Sequence, residues 1–355
     1  MKIGVITHHY VKNYGAYLQA RGLTEILKKV YPDASVEIVN YVNRKHWIKN
    51  IIHILHYRNG ADNLKTYSNK IRQLIMFSHY EHSLRISSPV KSAQEIKNLQ
   101  YDLLVFGSDE IWDRQGRGFR PLKYGVGMRN AAKRMIAYAP SVGKVSGEEP
   151  LPLELKEGLK NFDAISARDV QTQIMVAQIG VEAPLVLDPT LLYDFDCDLK
   201  EENTHNLPFK YILIYDCKLK EDQVESLTRY AQDNHLEIVG GGDYKPYYTK
   251  EYICLTPYEW VNLFKNAELV ITGTFHGTVF SVKYKKNFIS FPTEKNRIQK
   301  ISSLLNVFGL TCRLLDGEDA NLLVRMINTK VDYSNTETVM KKMYEKSIHF
   351  LEGTL

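Results

Sequence analysis

Cysteine is scarce in this chain. Its four residues, Cys197, Cys217, Cys254 and Cys312, stand far apart and form no C-x-x-C pair. That spacing excludes a disulfide framework and a cysteine zinc site, and points to a reduced, cytoplasmic protein. No run of 18 apolar residues exists, so the sequence predicts no membrane span. Internal repeats and low-complexity tracts are missing, which excludes solenoids and disordered linkers. Gly240-Gly241-Gly242 follows a predicted strand, but no Lys-Ser pair succeeds it, so it is a tight turn and not a P-loop. Acidic and histidine residues show no metal-ligand spacing, and the adjacent side chains of His8 and His9 diverge. No nucleic-acid module is recognisable, so nucleic acid is not an expected partner.

What is present suits a globular α/β protein. The chain has 355 residues, 44% of them hydrophobic, a length that favours two domains. Met1-Lys2-Ile3-Gly4-Val5-Ile6 runs straight into a polar loop, which reads as a first strand and not as a signal peptide. Apolar runs predict strands over 2–7, 36–40, 102–106, 135–138, 164–166 and 184–187. Helical spacing appears between them, over 14–30 behind the N-cap Asn13 and over 170–179. A stretch with little apolar content, 193–208, reads as a loose interdomain link. Alternation then restarts, with strands over 211–215, 236–239, 269–272 and 288–291. Thr256-Pro257-x-Glu259 has the elements of a capping box, and a last helix runs from Ser334, its candidate N-cap, to Leu351. Strands alternating with helices imply parallel sheets covered on both faces. The predicted domains are 1–192, with an insertion over 44–91, and 209–330, followed by a terminal helix over 331–355.

The net charge of +5 is unevenly spread. Between Arg44 and Lys91 stand nine Lys or Arg against two acids, Asp62 and Glu81, a local excess of +7. The stretch also carries five histidines, Trp47, Tyr57, Tyr67, Phe77 and Tyr80, and breaks most clearly at Asn59-Gly60. It is either a solvated helical insertion or a surface that meets anionic lipid or a diphosphate-linked acceptor.

The most informative segment is Glu268 to Lys286, ELVITGTFHGTVFSVKYKK. Leu269, Val270 and Ile271 form a buried-strand run, and a helix begins near His276-Gly277. A strand-to-helix turn is where open α/β sheets bind ligands, and a helix start suits an anion. The plainer alternative is a helix cap with a satisfied histidine. Similar turns follow other apolar runs: Gly107-Ser108-Asp109, Ser166-Ala167-Arg168-Asp169 and Asp188-Pro189-Thr190-Leu191-Leu192.

Six elements stand in one order: Asn13 to Gln19, Gly107 to Trp112, Tyr138 to Gly143, Ser166 to Asp169, Leu187 to Leu192 and Thr274 to Ser281. This series resembles the polysaccharide pyruvyl transferase family, over about residues 1–310. The resemblance implies two Rossmann-like domains facing a cleft, glycosyltransferase-B-like, with the last helix returning to the first domain. It also implies transfer of pyruvate from phosphoenolpyruvate to two hydroxyls of a sugar, or of a lipid-linked oligosaccharide, giving a cyclic ketal. Phosphoenolpyruvate is then a co-substrate and no resident cofactor is expected. Peripheral contact at the inner face of the membrane fits a lipid-linked acceptor. The alternatives are a nucleotide-sugar glycosyltransferase of the same architecture and a non-catalytic glycan- or lipid-binding relative.

Under that resemblance His276 is the general acid/base, since histidine titrates near neutral pH. Asp109 holds a sugar hydroxyl or acts as base, or else caps the following turn. Arg168, Ser166, Arg297, Thr274, Gly277 and Thr278 are expected at the donor, because guanidinium groups and helix amides match a phosphate. Alternatives for Arg168 are a salt bridge to Asp169 or an interdomain contact. Asn13, Tyr14, Gly15 and Ser108 are expected at the acceptor. The sequence departs from the family at Gly273-Thr274, where members often carry an aspartate or arginine. An anion-binding side chain is therefore missing, or is supplied by Lys283, Lys285 or Arg297.

Overall fold

The structure, a computed structural model, describes residues 1–57, 64–292, 294–315, 317 and 320–353. The expected break at Asn59-Gly60 lies outside the described residues. The chain divides into two compact units. One comprises Met1–Ile51, Ser78–Tyr193 and Lys341–Leu355; the other comprises Ile52–Phe77 and Asp194–Met340.

Elements run in chain order as β1 (Lys2–Ile6), α1 (Tyr14–Val30), β2 (Ser35–Ile38), α2 (Arg44–Tyr57), α3 (Leu64–Ser83), α4 (Ala93–Asn98), β3 (Tyr101–Asp109), β4 (Ala132–Pro140), α5 (Leu153–Leu159), β5 (Ala164–Ile165), α6 (Val170–Ala177) and α7 (Pro189–Leu192). They continue as α8 (Asp196–Glu201), β6 (Tyr211–Tyr215), α9 (Glu221–Asp233), β7 (Glu237–Gly241), β8 (Lys250–Tyr252), α10 (Pro257–Asn266), β9 (Leu269–Thr272), α11 (Phe275–Lys283), β10 (Asn287–Ser290), α12 (Lys295–Val307), α13 (Ala320–Asn328) and α14 (Ser334–Glu352).

The first unit holds a five-stranded sheet ordered β2-β1-β3-β4-β5, and every pairing in it is parallel. Chain order reverses direction between β1 and β3, so the loops after those two strands diverge and leave a crevice at their carboxyl ends. Ile3, Val5, Leu104, Val105, Phe106 and Ile136 are buried in its core. Burying each such side chain is worth about 1.5–3 kcal/mol, which is why near-continuous apolar runs mark central parallel strands. Lys341–Leu355 belong to this unit: Tyr31 Oη donates to the Leu351 carbonyl at 2.6 Å, and the Leu187 amide donates to Ser347 Oγ at 2.9 Å.

The second unit repeats the plan with the order β10-β9-β6-β7-β8, again all parallel. Here the reversal lies between β6 and β9. Two Rossmann-like sheets in an α/β chain are therefore present, as the alternation of elements implies.

Four local expectations change. The predicted strand over 184–187 is only a single bridge, Ala167 to Leu185; Pro184 has no N–H to extend a ladder, and its carbonyl accepts from the Ala167 amide. Gly240 and Gly241 lie inside β7 and not in a turn after it. The Tyr248 ring takes the space there: a Cβ on Gly240 would stand 2.1 Å from Tyr248 Cδ2. The stretch 193–208 is not loose, because Phe195 is fully buried against Phe280 and α8 follows it. Ser334 is the first residue of α14 and no N-cap; its amide is held by the Asp332 carboxylate at 2.9 Å.

Candidate functional site

Each sheet places a cluster of polar side chains at its reversal point. In the second unit, β9 ends at Thr272 and α11 starts at Phe275. Thr274 is the N-cap, and its Oγ1 accepts from the Gly277 amide at 3.0 Å. Gly277 is required by close approach, since a Cβ would meet Thr272 Oγ1 at 2.1 Å and Thr274 Oγ1 at 2.8 Å. Thr278 is buried; its Oγ1 donates to the Thr274 carbonyl at 3.0 Å and lies 2.8 Å from Ser290 Oγ. His276, half-buried, occupies the second helical position. The helix start offers it a partial positive charge and amide donors.

Arg297 reaches this turn. Its Nη1 donates to the Gly273 carbonyl at 3.3 Å and to Asp216 Oδ2 at 2.9 Å. Asp216 follows β6, the other strand of the reversal, and adopts φ +46°. A left-handed backbone in a non-glycine residue is uncommon and concentrates at functional turns. The two other cations expected to replace the family's arginine point elsewhere. Lys283 lies over the Phe195 ring at 5.8 Å, and burial pulls its pKa down to about 8. Lys285 pairs with Glu337.

In the first unit, β3 ends on Asp109, whose φ is +79°. Gly107, at φ +123°, has the Tyr138 carbonyl 2.1 Å from where a Cβ would be, so no other residue fits. Asp109 carries a side chain 16% exposed, with Arg168 Nη1 at 3.7 Å and His8 Nδ1 at 3.9 Å. Arg168 is buried and bonds Asp188 Oδ2 at 3.0 Å. Asp169, the partner weighed for it in the sequence, instead caps α6 through the Thr172 amide at 2.9 Å. Ser108 donates to the Ala139 carbonyl at 3.1 Å and approaches Asp188 Oδ2 at 3.4 Å. Ser166 is fully buried, accepting from the Ala139 amide and donating to the Ala137 carbonyl, each at 3.0 Å. Asn13 caps α1 by accepting from the Gly15 amide at 2.8 Å, and Tyr14 and Gly15 are buried behind it.

The structure adds residues to which the sequence reading assigned no role at a site. His8 follows β1, and its ring stands 5.7 Å from that of His46. Tyr10 Oη lies 3.3 Å from His46 Nδ1. Burial, reinforced by the Lys123 charge, keeps these imidazoles neutral: His46 falls to about 4, His9 to about 4, and His8 well below its usual value. Lys123 is itself fully buried, with its Nζ 5.9 Å from the Tyr10 ring centroid. That Nζ has no hydrogen-bond partner among the described residues, and burial pulls its pKa down to about 7. An unpaired interior ammonium is costly, so the charge of Asp109 is its main compensation. Nothing in Arg120-Pro121-Leu122-Lys123-Tyr124 marks this lysine as interior, because a lysine in a loop is normally solvated.

A separate cavity, lined by Lys210, Asn234, Glu268, Lys330 and Tyr333, opens at the amino-terminal edge of the second sheet, away from these groups. Among the described residues, no group of three His, Cys, Asp or Glu is arranged to hold a metal ion.

A family model described as polysaccharide pyruvyl transferase matches residues 13–295, more than half of the chain. The chain belongs to the polysaccharide pyruvyl transferase family. No curated protein matches it in sequence. Among solved structures, the UDP-GlcNAc 2-epimerase from Methanocaldococcus jannaschii is similar at TM-score 0.50 and 13% identity, covering 98% of this chain and 99% of that one. The UDP-GlcNAc 2-epimerase from Neisseria meningitidis bound to UDP-GlcNAc is similar at TM-score 0.50 and 7% identity, covering 97% and 99%. At such identity the likeness shows the fold alone. This pyruvyl transferase family member has the two Rossmann-like sheets of the glycosyltransferase-B-like class.

Proposed function

We propose that this polysaccharide pyruvyl transferase family member moves pyruvate from phosphoenolpyruvate to two hydroxyls of a sugar, in a cell-surface polysaccharide or its lipid-linked precursor, and forms a cyclic ketal. The single observation carrying this reading is the turn after β9. It combines a titratable ring, His276, a helix start, and the Arg297 guanidinium hydrogen-bonded to the Gly273 carbonyl at 3.3 Å. A compact, multiply charged anion needs such cationic and N–H contacts, and an enol phosphate needs a proton donor at its methylene carbon.

The chemistry divides as follows. His276 gives a proton to the methylene carbon of the enolpyruvyl group, so the neighbouring carbon becomes electrophilic. A sugar hydroxyl attacks that carbon and its proton passes to the His276 imidazole, which has just given its own proton away. The C–O bond to phosphate then breaks and phosphate leaves with the bonding pair. The second hydroxyl attacks the same carbon, loses its proton and closes the ring. The sum is phosphoenolpyruvate plus diol giving ketal plus phosphate, with no change of oxidation state overall. Arg297 and the α11 amides hold the donor in this proposal. Within the first unit, Arg168 is buried between Asp188 and Asp109 and orients the Asp109 carboxylate.

A thermal-shift series tests the donor. Phosphoenolpyruvate should raise the unfolding temperature of the purified chain, and UDP-sugars should not. Stabilisation by UDP-sugars alone would replace this reading with glycosyl transfer.

A further inference from the structure

Beside the turn after β9 lies a carboxylate that the chemistry above does not use. Asp216 Oδ2 accepts from Arg297 Nη1 at 2.9 Å, and Glu294 Oε2 lies 3.7 Å from Arg297 Nε. All of these residues belong to the second unit. One guanidinium therefore faces two carboxylates, and the three groups together are negative. An anion reaching this turn is opposed until one carboxylate gives way.

The two acids differ in how they are held. Glu294 stands three residues before Arg297, at the start of α12. Asp216 comes from the end of another strand, β6, and makes the shorter contact. Its main chain is locked: the Asp216 carbonyl lies 2.3 Å from where a Cβ on Gly273 would stand, so the two turns touch through backbone and only glycine fits. Its side chain is not locked, being 52% exposed. The part of this contact that can move is the carboxylate. An ion pair so exposed is weak and screened by salt, so a multiply charged ligand can displace it. Arg297 keeps its aim when that happens, because the Gly273 carbonyl also holds Nη1, at 3.3 Å. The group displaced matches its replacement, since phosphoenolpyruvate brings a carboxylate of its own and a guanidinium pairs with either.

We propose that Asp216 is a latch on the donor site: it occupies the Arg297 guanidinium while the site is empty and is displaced when an anionic group of the donor takes its place. The latch rests on the donor reading above and adds to it a competitor for the anion. The same competition drives phosphate off the site after transfer.

Calorimetric titration of the full chain with phosphoenolpyruvate tests this. Asp216→Asn keeps the side-chain shape and suits the φ of +46°, since asparagine tolerates a left-handed backbone. It should tighten binding about three- to tenfold at low salt, with a smaller gain at high salt. Glu294→Gln should tighten it less, because its carboxylate stands farther from the guanidinium. Glu268→Gln removes an equal charge at the amino-terminal edge of the sheet and should leave affinity unchanged. In an Arg297→Ala background, Asp216→Asn should add less than about twofold, because the latch acts through that guanidinium. Asp216→Asn and Glu294→Gln should keep the parent's circular dichroism, since both side chains are more than half exposed. If Asp216→Asn unfolds, the absence of any tightening by Glu294→Gln overturns the latch. Equal or weaker binding by folded Asp216→Asn would overturn it and leave the donor reading standing. So would a gain that survives the loss of Arg297. No binding of phosphoenolpyruvate by the parent and Asp216→Asn alike would remove the donor reading, and the latch with it.

Discussion

Arg168 and Asp188 form a buried ion pair at 3.0 Å, with side chains 3% and 1% exposed. The second Asp188 oxygen is also engaged, accepting from the Thr190 amide at 3.0 Å and its hydroxyl at 2.7 Å. One carboxylate thus fixes the start of α7 and the guanidinium that flanks Asp109. Asp188→Asn should cost about 3–5 kcal/mol, because it leaves a buried guanidinium short of its counter-charge. Arg168→Lys should be destabilising too, since an ammonium cannot span both Asp188 and Asp109. Urea unfolding of the purified variants measures both losses; a change below about 1 kcal/mol would show that the pair is not structural.

Lys123 makes a pH prediction. Its pKa falls from 10.5 unfolded to about 7 in the fold. Between those values the unfolded chain holds a proton that the folded chain lacks, so stability rises with pH across that window. The cost of burying the charge is fully present below pH 7. Lys123→Met should therefore raise the melting temperature most near pH 6.5, with the gain shrinking toward pH 10. A gain that does not vary with pH would mean that the lysine is neutral, or paired, throughout.

Thr274 caps the helix that carries His276. Thr274→Ala should cost about 1 kcal/mol of stability, and Thr274→Ser should restore most of it. If Thr274→Ala is neutral in chemical denaturation, the 3.0 Å bond to Gly277 contributes nothing measurable.

Arg297 is the cation that reaches the turn, so Arg297→Ala should weaken phosphoenolpyruvate binding by tenfold or more, in keeping with about 1.5–3 kcal/mol for hydrogen bonds to charged groups. Lys285→Gln should leave it unchanged, because Lys285 lines the cavity at the opposite, amino-terminal edge of the sheet. Calorimetric titration separates the two. The reverse order of effects would move the donor away from Arg297.

Local signals were legible in the sequence wherever neighbours in the chain decide the outcome. Asn13 caps α1, and Thr256 with Glu259 closes a reciprocal cap on α10, with bonds of 2.8 and 3.1 Å. The strands over 211–215 and 269–272 coincide with β6 and β9, because uninterrupted apolar runs admit few alternatives. What stayed hidden depends on residues far apart. Strand order brings His8 beside Asp109 and Asp216 beside the Gly273 turn, and no local pattern encodes it. Lys123 reads as a loop cation until Trp112 and Tyr124 stack at 5.5 Å, and the indole N–H bonds the Lys123 carbonyl at 2.8 Å. Gly240 reads as a turn until the distant Tyr248 ring is seen to occupy its side-chain space.

The account rests on His276 as the group that moves the proton. Its most direct test is pyruvate incorporation from labelled phosphoenolpyruvate into an acceptor glycan by folded His276→Gln protein, compared with the parent across pH 5 to 9. Turnover should fall at least roughly 10²-fold while donor binding falls much less, and the residual rate should lose its pH dependence near the histidine range. Near-normal turnover by a folded variant, with only its melting temperature lowered, would reduce His276 to a helix-start residue and contradict the mechanism.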